Sequence, residues 1–125
     1  MNSTLIACLA TLLVIAVQWF VGRRMKRMAK PYGAVVLVAH IALTVAVLVG
    51  VSTINVRLQA AHPAVAFSVT SMGIAGGLLW FSILTGIVIA VLKKKNRALA
   101  VAHRLTMYAI ALAIFVNSAI LIAKA

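Results

Sequence analysis

The sequence predicts an all-α integral membrane protein, a four-helix up-down bundle formed by a single transmembrane domain over residues 1–125. Composition is the first observation: 66% of the residues are hydrophobic and the mean hydropathy is +1.20, far above a soluble domain of this length. The second is charge, because only 10% of the residues are charged and every one is Lys or Arg. The third is that the apolar residues fall into four long runs separated by short connections.

The first two runs predict spans over approximately residues 3–21 and 32–56, each long enough for a hydrocarbon core that needs about 20 helical residues. The first run has no basic segment before it and carries its positive charges after it, so we expect a retained anchor rather than a cleaved signal. Gly22–Lys30 is the first basic hinge, and Pro31 stops the helix before the second span.

The last two runs predict spans over approximately residues 64–92 and 98–123, and the turn Gln59–Pro63 precedes the third span. The third run is longer than the hydrocarbon core requires, so we expect it to tilt or to begin in the interface. Gly73 and Gly77 are four residues apart in it and share one face. Small residues with this spacing predict a close approach of another helix.

Ten of the twelve cations lie on one side of the predicted bundle. They are Arg23, Arg24, Lys26, Arg27 and Lys30 in the first hinge, and Lys93, Lys94, Lys95, Arg97 and Arg104 in or just after the third connection. Arg57 and Lys124 lie on the other side. The positive-inside rule then places both hinges in the cytoplasm and both termini on the non-cytoplasmic side. These cations predict attraction to anionic lipid head groups at the cytoplasmic face, and no nucleic-acid binding.

A topology measurement tests this assignment. We expect reporters fused at Ala125 to indicate a non-cytoplasmic position and reporters inserted in Gly22–Lys30 to indicate a cytoplasmic one, because the Lys- and Arg-rich side remains in the cytoplasm. Reporter enzymes assayed in intact cells measure both positions. A cytoplasmic C-terminus would contradict the assignment and invert the depths predicted along every span.

The absence of Asp and Glu from the sequence excludes several classes of function. There is no carboxylate pair for glycosidase chemistry, no Asp for a Ser-His-Asp triad and no acidic ligand for Ca²⁺ or Mg²⁺. Small four-helix multidrug exporters depend on a membrane glutamate, so a similar helix count does not place this chain among them. The single cysteine, Cys8, excludes an internal disulfide.

His40 and His103 are the candidate functional residues, because each lies inside an apolar run shortly after a basic hinge. Ionisable side chains are costly in lipid, so they generally face the protein interior and serve a function. His40 lies about eight residues into its span and His103 about five, a difference of roughly one helical turn. The second and fourth helices of an up-down bundle are usually diagonal, about 12–14 Å apart when neighbours are ~8–10 Å apart. That gap fits two imidazoles on one iron, with a porphyrin between them.

Other residues at this depth complete the predicted site. Gly86 would leave space for a porphyrin face or edge, and the first span passes this depth around Ile15 and Ala16. Without acids, the imidazoles would bond to backbone carbonyls or to hydroxyls such as Thr44 or Thr106. Haem propionates are anionic and would need cationic partners. The candidate cations are Arg104, Arg23, Arg24 and Lys95.

Four helices with a histidine on each of two, together with the segment AHRLTMY around His103, resemble small membrane-embedded b-type cytochromes. The resemblance implies that His40 and His103 are the iron ligands of a haem b, that the protein transfers electrons, and that an oxidoreductase is its partner. Many such cytochromes carry two haems, whereas this chain lacks four intramembrane histidines. One haem near the cytoplasmic side is therefore expected.

Other interpretations of these residues stay open. A membrane histidine can simply hydrogen-bond a neighbouring helix, and His103 can be an interfacial residue grouped with Arg104. His62, in the external turn, is more typical of a loop residue than of a ligand. Four polar residues toward the outer side can pair across helices or contact a quinone. They are Thr70, Ser71, Asn117 and Ser118.

Three functions are compatible with the sequence. The first is a haem b electron-transfer protein of the prokaryotic plasma (inner) membrane, acting as the electron-carrying subunit of an oxidoreductase. The second is a non-catalytic structural or assembly subunit of a larger membrane complex, whose basic face docks acidic partners or anionic lipid. The third is a small transporter or channel, which is disfavoured because no polar stripe runs across the bilayer.

Overall fold

The chain folds into four long helices in a computed structural model that describes residues 3–27, 33–61, 66–92, 94 and 96–124. The helices are α1 (Ser3–Arg27), α2 (Ala34–Ala61), α3 (Phe67–Val91) and α4 (Arg97–Ala123). Each is long and apolar enough to cross a membrane, so the protein is an integral membrane protein. The predicted all-α, four-helix up-down bundle is confirmed.

The helices form a closed ring in which each packs on two neighbours. The packed pairs are α1 with α2, α2 with α3, α3 with α4, and α4 with α1. Among the described residues, the backbones of α1 and α3 do not approach each other closely, and neither do those of α2 and α4. The predicted diagonal relation of the second and fourth helices is therefore correct. Any group that bridges α2 and α4 must cross the centre of the bundle.

The core is a column of apolar side chains along the bundle axis. Its fully buried large members are Ile54, Met72, Leu79, Ile110, Ile114, Val47 and Val51. Large apolar side chains also cover the outside, for example Leu13, Val35 and Phe115, which are 68%, 83% and 62% exposed. In a bilayer these outward side chains meet lipid tails, so helix association depends on close packing and polar contacts.

Two helices extend beyond the predicted spans. α1 continues through Gly22 to Arg27, so most of the predicted first hinge is helical. α2 continues to Ala61, so Gln59 belongs to a helix and not to the predicted turn. Lys and Arg are good helix formers, and their long side chains reach the interface from a helical backbone. Lys30, Pro31 and His62 lie outside the described residues.

The glycine that allows close helix approach is Gly50 of α2. An ideal Cβ at Gly50 would lie only 3.0 Å from Thr11 Cγ2 of α1. Gly73 and Gly77, predicted to serve this purpose, are exposed, and no heavy atom of the described residues lies within 4 Å of an ideal Cβ on either. The prediction that another helix of the bundle packs closely on Gly73 and Gly77 is therefore wrong. Spacing shows that two glycines share a face, but it does not show which face packs.

Candidate functional site

The structure brings His40 and His103 together at the basic end of the bundle. Each is the seventh residue of its helix, His40 in α2 and His103 in α4. Their ring centroids lie 6.2 Å apart, and the ring planes are inclined by 54°. Both side chains are half-buried. Because α2 and α4 are diagonal, the two rings meet across the centre of the bundle.

The carbonyl oxygen of Ser82 in α3 determines the tautomer of His103. It lies 2.8 Å from His103 Nδ1. A carbonyl oxygen can only accept a hydrogen bond, so Nδ1 carries the proton and donates it. Thr85 Oγ1 donates to the same carbonyl at 2.9 Å and lies 3.1 Å from His103 Nδ1. In the neutral imidazole Nε2 then keeps its lone pair and is free to bind a metal.

Gln18 of α1 anchors the segment of α2 that carries His40. Gln18 Nε2 donates to the carbonyl oxygen of His40 at 3.1 Å and to Thr44 Oγ1 at 2.6 Å. Thr44 Oγ1 in turn donates to the His40 carbonyl at 2.8 Å. Gln18 is only 6% exposed, which is unusual for an amide side chain unless it is bonded. This contact holds α1 and α2 together at the level of the histidines.

His40 offers an unsatisfied ring nitrogen. Among the described residues, His40 Nδ1 and Gln18 Oε1 are both buried and have no hydrogen-bond partner. Leaving a buried donor or acceptor unpaired costs about 1–3 kcal/mol. A ligand that engaged His40 would offset part of that cost. The two histidines therefore differ. His103 Nδ1 is hydrogen-bonded to the Ser82 carbonyl of α3, whereas His40 Nδ1 has no hydrogen-bond partner among the described residues.

A glycine of each flanking helix lies against the histidine rings. An ideal Cβ on Gly86 of α3 would lie 3.1 Å from His103 Cε1, and one on Gly22 of α1 would lie 4.0 Å from His40 Cε1. The positions of these glycines allow the rings to lie close to both helix backbones. The sequence predicted Gly86 at this depth, whereas Gly22 was assigned to the hinge.

The level at which α1 passes the histidines differs from the prediction. Its contacts with His40 come from Gln18 and Gly22, not from the predicted Ile15 and Ala16. Ile15 is buried in the core and Ala16 is exposed. The reason is the length of α1: because the helix continues to Arg27, its basic end lies further along the chain, and the histidine level shifts with it.

Of the two kinds of hydrogen-bond partner predicted for the imidazoles, His103 has a backbone carbonyl, whereas neither named threonine hydroxyl serves. Thr44 and Thr106 each donate to a carbonyl of their own helix, so their hydroxyls satisfy the backbone rather than a ring nitrogen. The acceptor is a backbone carbonyl, as one form of the prediction stated, and it belongs to Ser82 with Thr85 beside it. Ser82 lies four residues before Gly86 on the same face of α3, a spacing that could have identified it.

Three of the four predicted cationic partners lie at the same end of the bundle as the histidine pair. Arg104 directly follows His103 and is half-buried. Arg23 and Arg24, in the last two turns of α1, are exposed. Lys95 lies outside the described residues. A role for any of them as a partner of an anionic cofactor group stays a prediction.

A second polar cluster lies in the opposite half of the bundle. Asn117 Nδ2 donates to Ser71 Oγ at 2.9 Å and so joins α4 to α3. Ser118, which is also buried, donates from Oγ to the Ile114 carbonyl of its own helix at 2.8 Å. Asn117 is 1% exposed and Cys8 is fully buried. Pairing across helices is therefore confirmed for Asn117 and Ser71, and contact with a quinone stays a prediction.

Comparison with protein-family models, with curated proteins and with solved structures finds no match to this chain. The residues around the histidine pair therefore carry the functional inference.

Proposed function

We propose that this protein is a membrane electron-transfer protein that holds one haem b between His40 and His103. The separation of the two rings carries the proposal. A metal–imidazole bond is about 2.0–2.1 Å long and the ring centre lies about 1 Å beyond the nitrogen, so rings on opposite sides of one metal have centroids about 6 Å apart. The centroids of His40 and His103 are 6.2 Å apart.

The available ligands favour haem over a metal ion bound by protein alone. Zinc sites use three or four protein ligands. The described residues contain no group of three or more His, Cys, Asp or Glu that could hold a metal ion, and the sequence has no Asp or Glu. A haem iron already has four porphyrin nitrogens and needs only axial ligands, for which two imidazoles suffice.

Surrounding residues support this assignment. The Ser82 carbonyl fixes the His103 tautomer that leaves Nε2 available, the usual arrangement of a metal-ligating histidine. His40 Nδ1 has no partner within the described part of the chain. Gly22 and Gly86 place no side chain against the ring edges. These are separate observations on all four helices, and each is compatible with the two histidines as metal ligands.

The chain's own residues would orient and shield the cofactor. Haem supplies one-electron iron chemistry when bound. Two axial imidazoles leave no open coordination position, which favours electron transfer over binding of a substrate. Ser82 and Thr85 hold the His103 ring, and Gln18 with Thr44 holds the α2 segment that carries His40. Arg104 is one candidate partner for a propionate, because it is adjacent to one ligand.

The proposed cellular setting follows from the charge distribution. With ten cations at one end, we place the histidine pair near the cytoplasmic face of a prokaryotic plasma membrane, with both termini outside. A single haem near one face spans only part of the bilayer, so we propose that the protein is an electron-carrying subunit that exchanges electrons with an oxidoreductase partner. A quinone is a candidate for the other electron carrier.

The direct test is a spectrum of the protein purified after expression with ample haem. We expect a reduced-minus-oxidised absorption difference typical of low-spin haem b, and a haemochrome assay that gives one haem per chain. A colourless protein under these conditions would overturn the proposal. The non-catalytic subunit of a larger membrane complex would then be the better interpretation.

Replacing Gly86 with Phe should lower the haem-to-protein ratio while leaving both histidines present. Even an ideal Cβ at Gly86 lies 3.1 Å from His103 Cε1, so a benzyl group must displace the ring. The matched control is Gly77→Phe, the same change on the same helix at an exposed position with open space around it. Equal haem loss in both variants would show that Gly86 has no specific role in the site.

A further inference from the structure

The seam between α1 and α4 carries an aromatic pair on its lipid-facing side. Trp19 Nε1 of α1 donates to the hydroxyl oxygen of Tyr108 in α4 at 2.7 Å. The two side chains are 37% and 51% exposed. Trp and Tyr prefer the boundary between lipid tails and head groups, where the ring is in an apolar layer and the polar atom is bonded. The pair therefore suits the apolar side of the head-group boundary, where this seam approaches the basic end of the bundle.

Two arginines lie one helical turn from this pair, toward the basic end. Arg23 is four residues after Trp19, and Arg104 is four residues before Tyr108. Because α1 and α4 are antiparallel, both steps lead in the same direction along the bundle. Residues four apart share a helix face, so both arginines are on the faces that meet at the seam. A pair of cations thus lies directly above a pair of interfacial aromatics.

Within the part of the chain that the structure describes, most N–H donors of this cationic pair have no hydrogen-bond partner. The guanidinium carbon of Arg23 lies 4.8 Å from the ring centroid of Trp19, a contact that orients the group without using its N–H donors. Arg104 donates from Nε to the Ala100 carbonyl at 3.3 Å, which leaves its two terminal nitrogens. The sequence contains no Asp or Glu that could pair with either. Two like charges at one level repel, so an anion between them would stabilise the arrangement.

We propose that the α1–α4 seam is a specific binding site for the phosphate of an anionic phospholipid. Arg23 and Arg104 would bind the head-group oxyanion through guanidinium N–H donors, which suit phosphate geometry. The Trp19–Tyr108 pair would close the site on the membrane side. Exposed apolar side chains continue along α4 from Tyr108 for the acyl chains, among them Leu112 and Phe115, each 62% exposed.

The oxyanion could come from a phospholipid or from a haem propionate. A phospholipid is favoured because the aromatic pair faces outward, away from the histidine rings. The His103 ring faces the bundle centre, where it meets Ser82 and lies near His40. Trp19 and Tyr108 instead have large exposed fractions and lie on the outside. An anion held beside them is therefore at the lipid surface. The proposal does not depend on haem binding.

Fluorescence of Trp19 provides the test, because it is one of only two tryptophans and the other, Trp80, can be changed to Phe. The purified Trp80→Phe protein is reconstituted in phosphatidylcholine vesicles that contain a low fraction of lipid brominated near the head-group end of its acyl chains. We expect brominated phosphatidylglycerol to quench Trp19 more strongly than brominated phosphatidylcholine at the same fraction. The preference should fall by about tenfold in Arg23→Gln and by a similar factor in Arg104→Gln, because each change removes charge-assisted hydrogen bonds to the phosphate.

Arg24→Gln is the matched control, since it removes the same charge from the adjacent, exposed position on another face of α1. Retention of the preference in Arg24→Gln together with its loss in Arg23→Gln supports a specific site. If Arg24→Gln and Arg23→Gln lose the lipid preference equally, the preference arises from general surface charge, and the proposal is overturned. A second outcome would also overturn the proposal. If Arg23→Gln and Arg104→Gln change the haem spectrum but not the lipid preference, the two arginines bind a haem propionate and not a phospholipid.

Discussion

Replacing either His40 or His103 with Ala is expected to abolish low-spin haem binding. Groups that merely orient a metal ligand are worth about 10–100-fold in affinity, so loss of a ligand itself should cost more than about 100-fold. The measurement is the haem-to-protein ratio and the reduced-minus-oxidised spectrum of each purified variant. External imidazole should restore part of the low-spin spectrum in His103→Ala, because the vacated position next to Ser82 is the size of the added ligand.

Two further variants complete this comparison. His62→Ala should leave the spectrum intact, since His62 follows the C-terminal end of α2, whereas His40 is the seventh residue from its N-terminal end. Arg104→Gln should have a modest effect on potential or affinity, because both ligands remain. The expected order of haem loss is therefore the two ligand variants first, Gly86→Phe next, Arg104→Gln smaller and His62→Ala silent. Normal haem content in either ligand variant would contradict the assignment of that histidine.

Replacing Gly50 with Leu is expected to destabilise the bundle by about 1–3 kcal/mol or more, as overpacking of a close contact does. An ideal Cβ at this position lies 3.0 Å from Thr11 Cγ2 and 3.1 Å from Thr11 Cβ. Thr11 is 4% exposed and its hydroxyl donates to the Ala7 carbonyl at 2.7 Å, so it cannot turn away without losing that bond. Unfolding in mixed micelles, followed by circular dichroism, measures the free energy.

Gly73→Leu is the control for this change, because Gly73 faces outward with open space around it. It should unfold like the wild type. A double-mutant cycle provides a second check: Gly50→Ala with Thr11→Ala should be less destabilising than the sum of the single changes, since truncating Thr11 makes room for the new methyl group. If Gly50→Leu and Gly73→Leu have the same free energy of unfolding, the close approach of α1 and α2 at Gly50 does not contribute to stability.

Much of the candidate site followed from position along the chain. The distance of His40 and His103 from the basic hinges predicted a common depth, and the structure places both in the seventh position of their helices. Gly86 was predicted at the same depth by the same reasoning. Gln18 was the most polar residue of its span, but its role was not predictable. It donates to the backbone carbonyl of His40, and such a contact depends on how α1 and α2 pack.

Composition, run length and the placement of cations depend on the order of residues alone, so the sequence was enough to predict a membrane protein of four helices with two histidines at a shared depth. Which face of each helix lies inside became known from the tertiary structure. In a soluble protein polar residues would mark the outer face, whereas here lipid and core are both apolar, and an outward Gly73 and an inward Gly50 have similar neighbours in sequence. The contacts of the site, from Ser82 to His103 and from Gln18 to His40, depend on that choice of face.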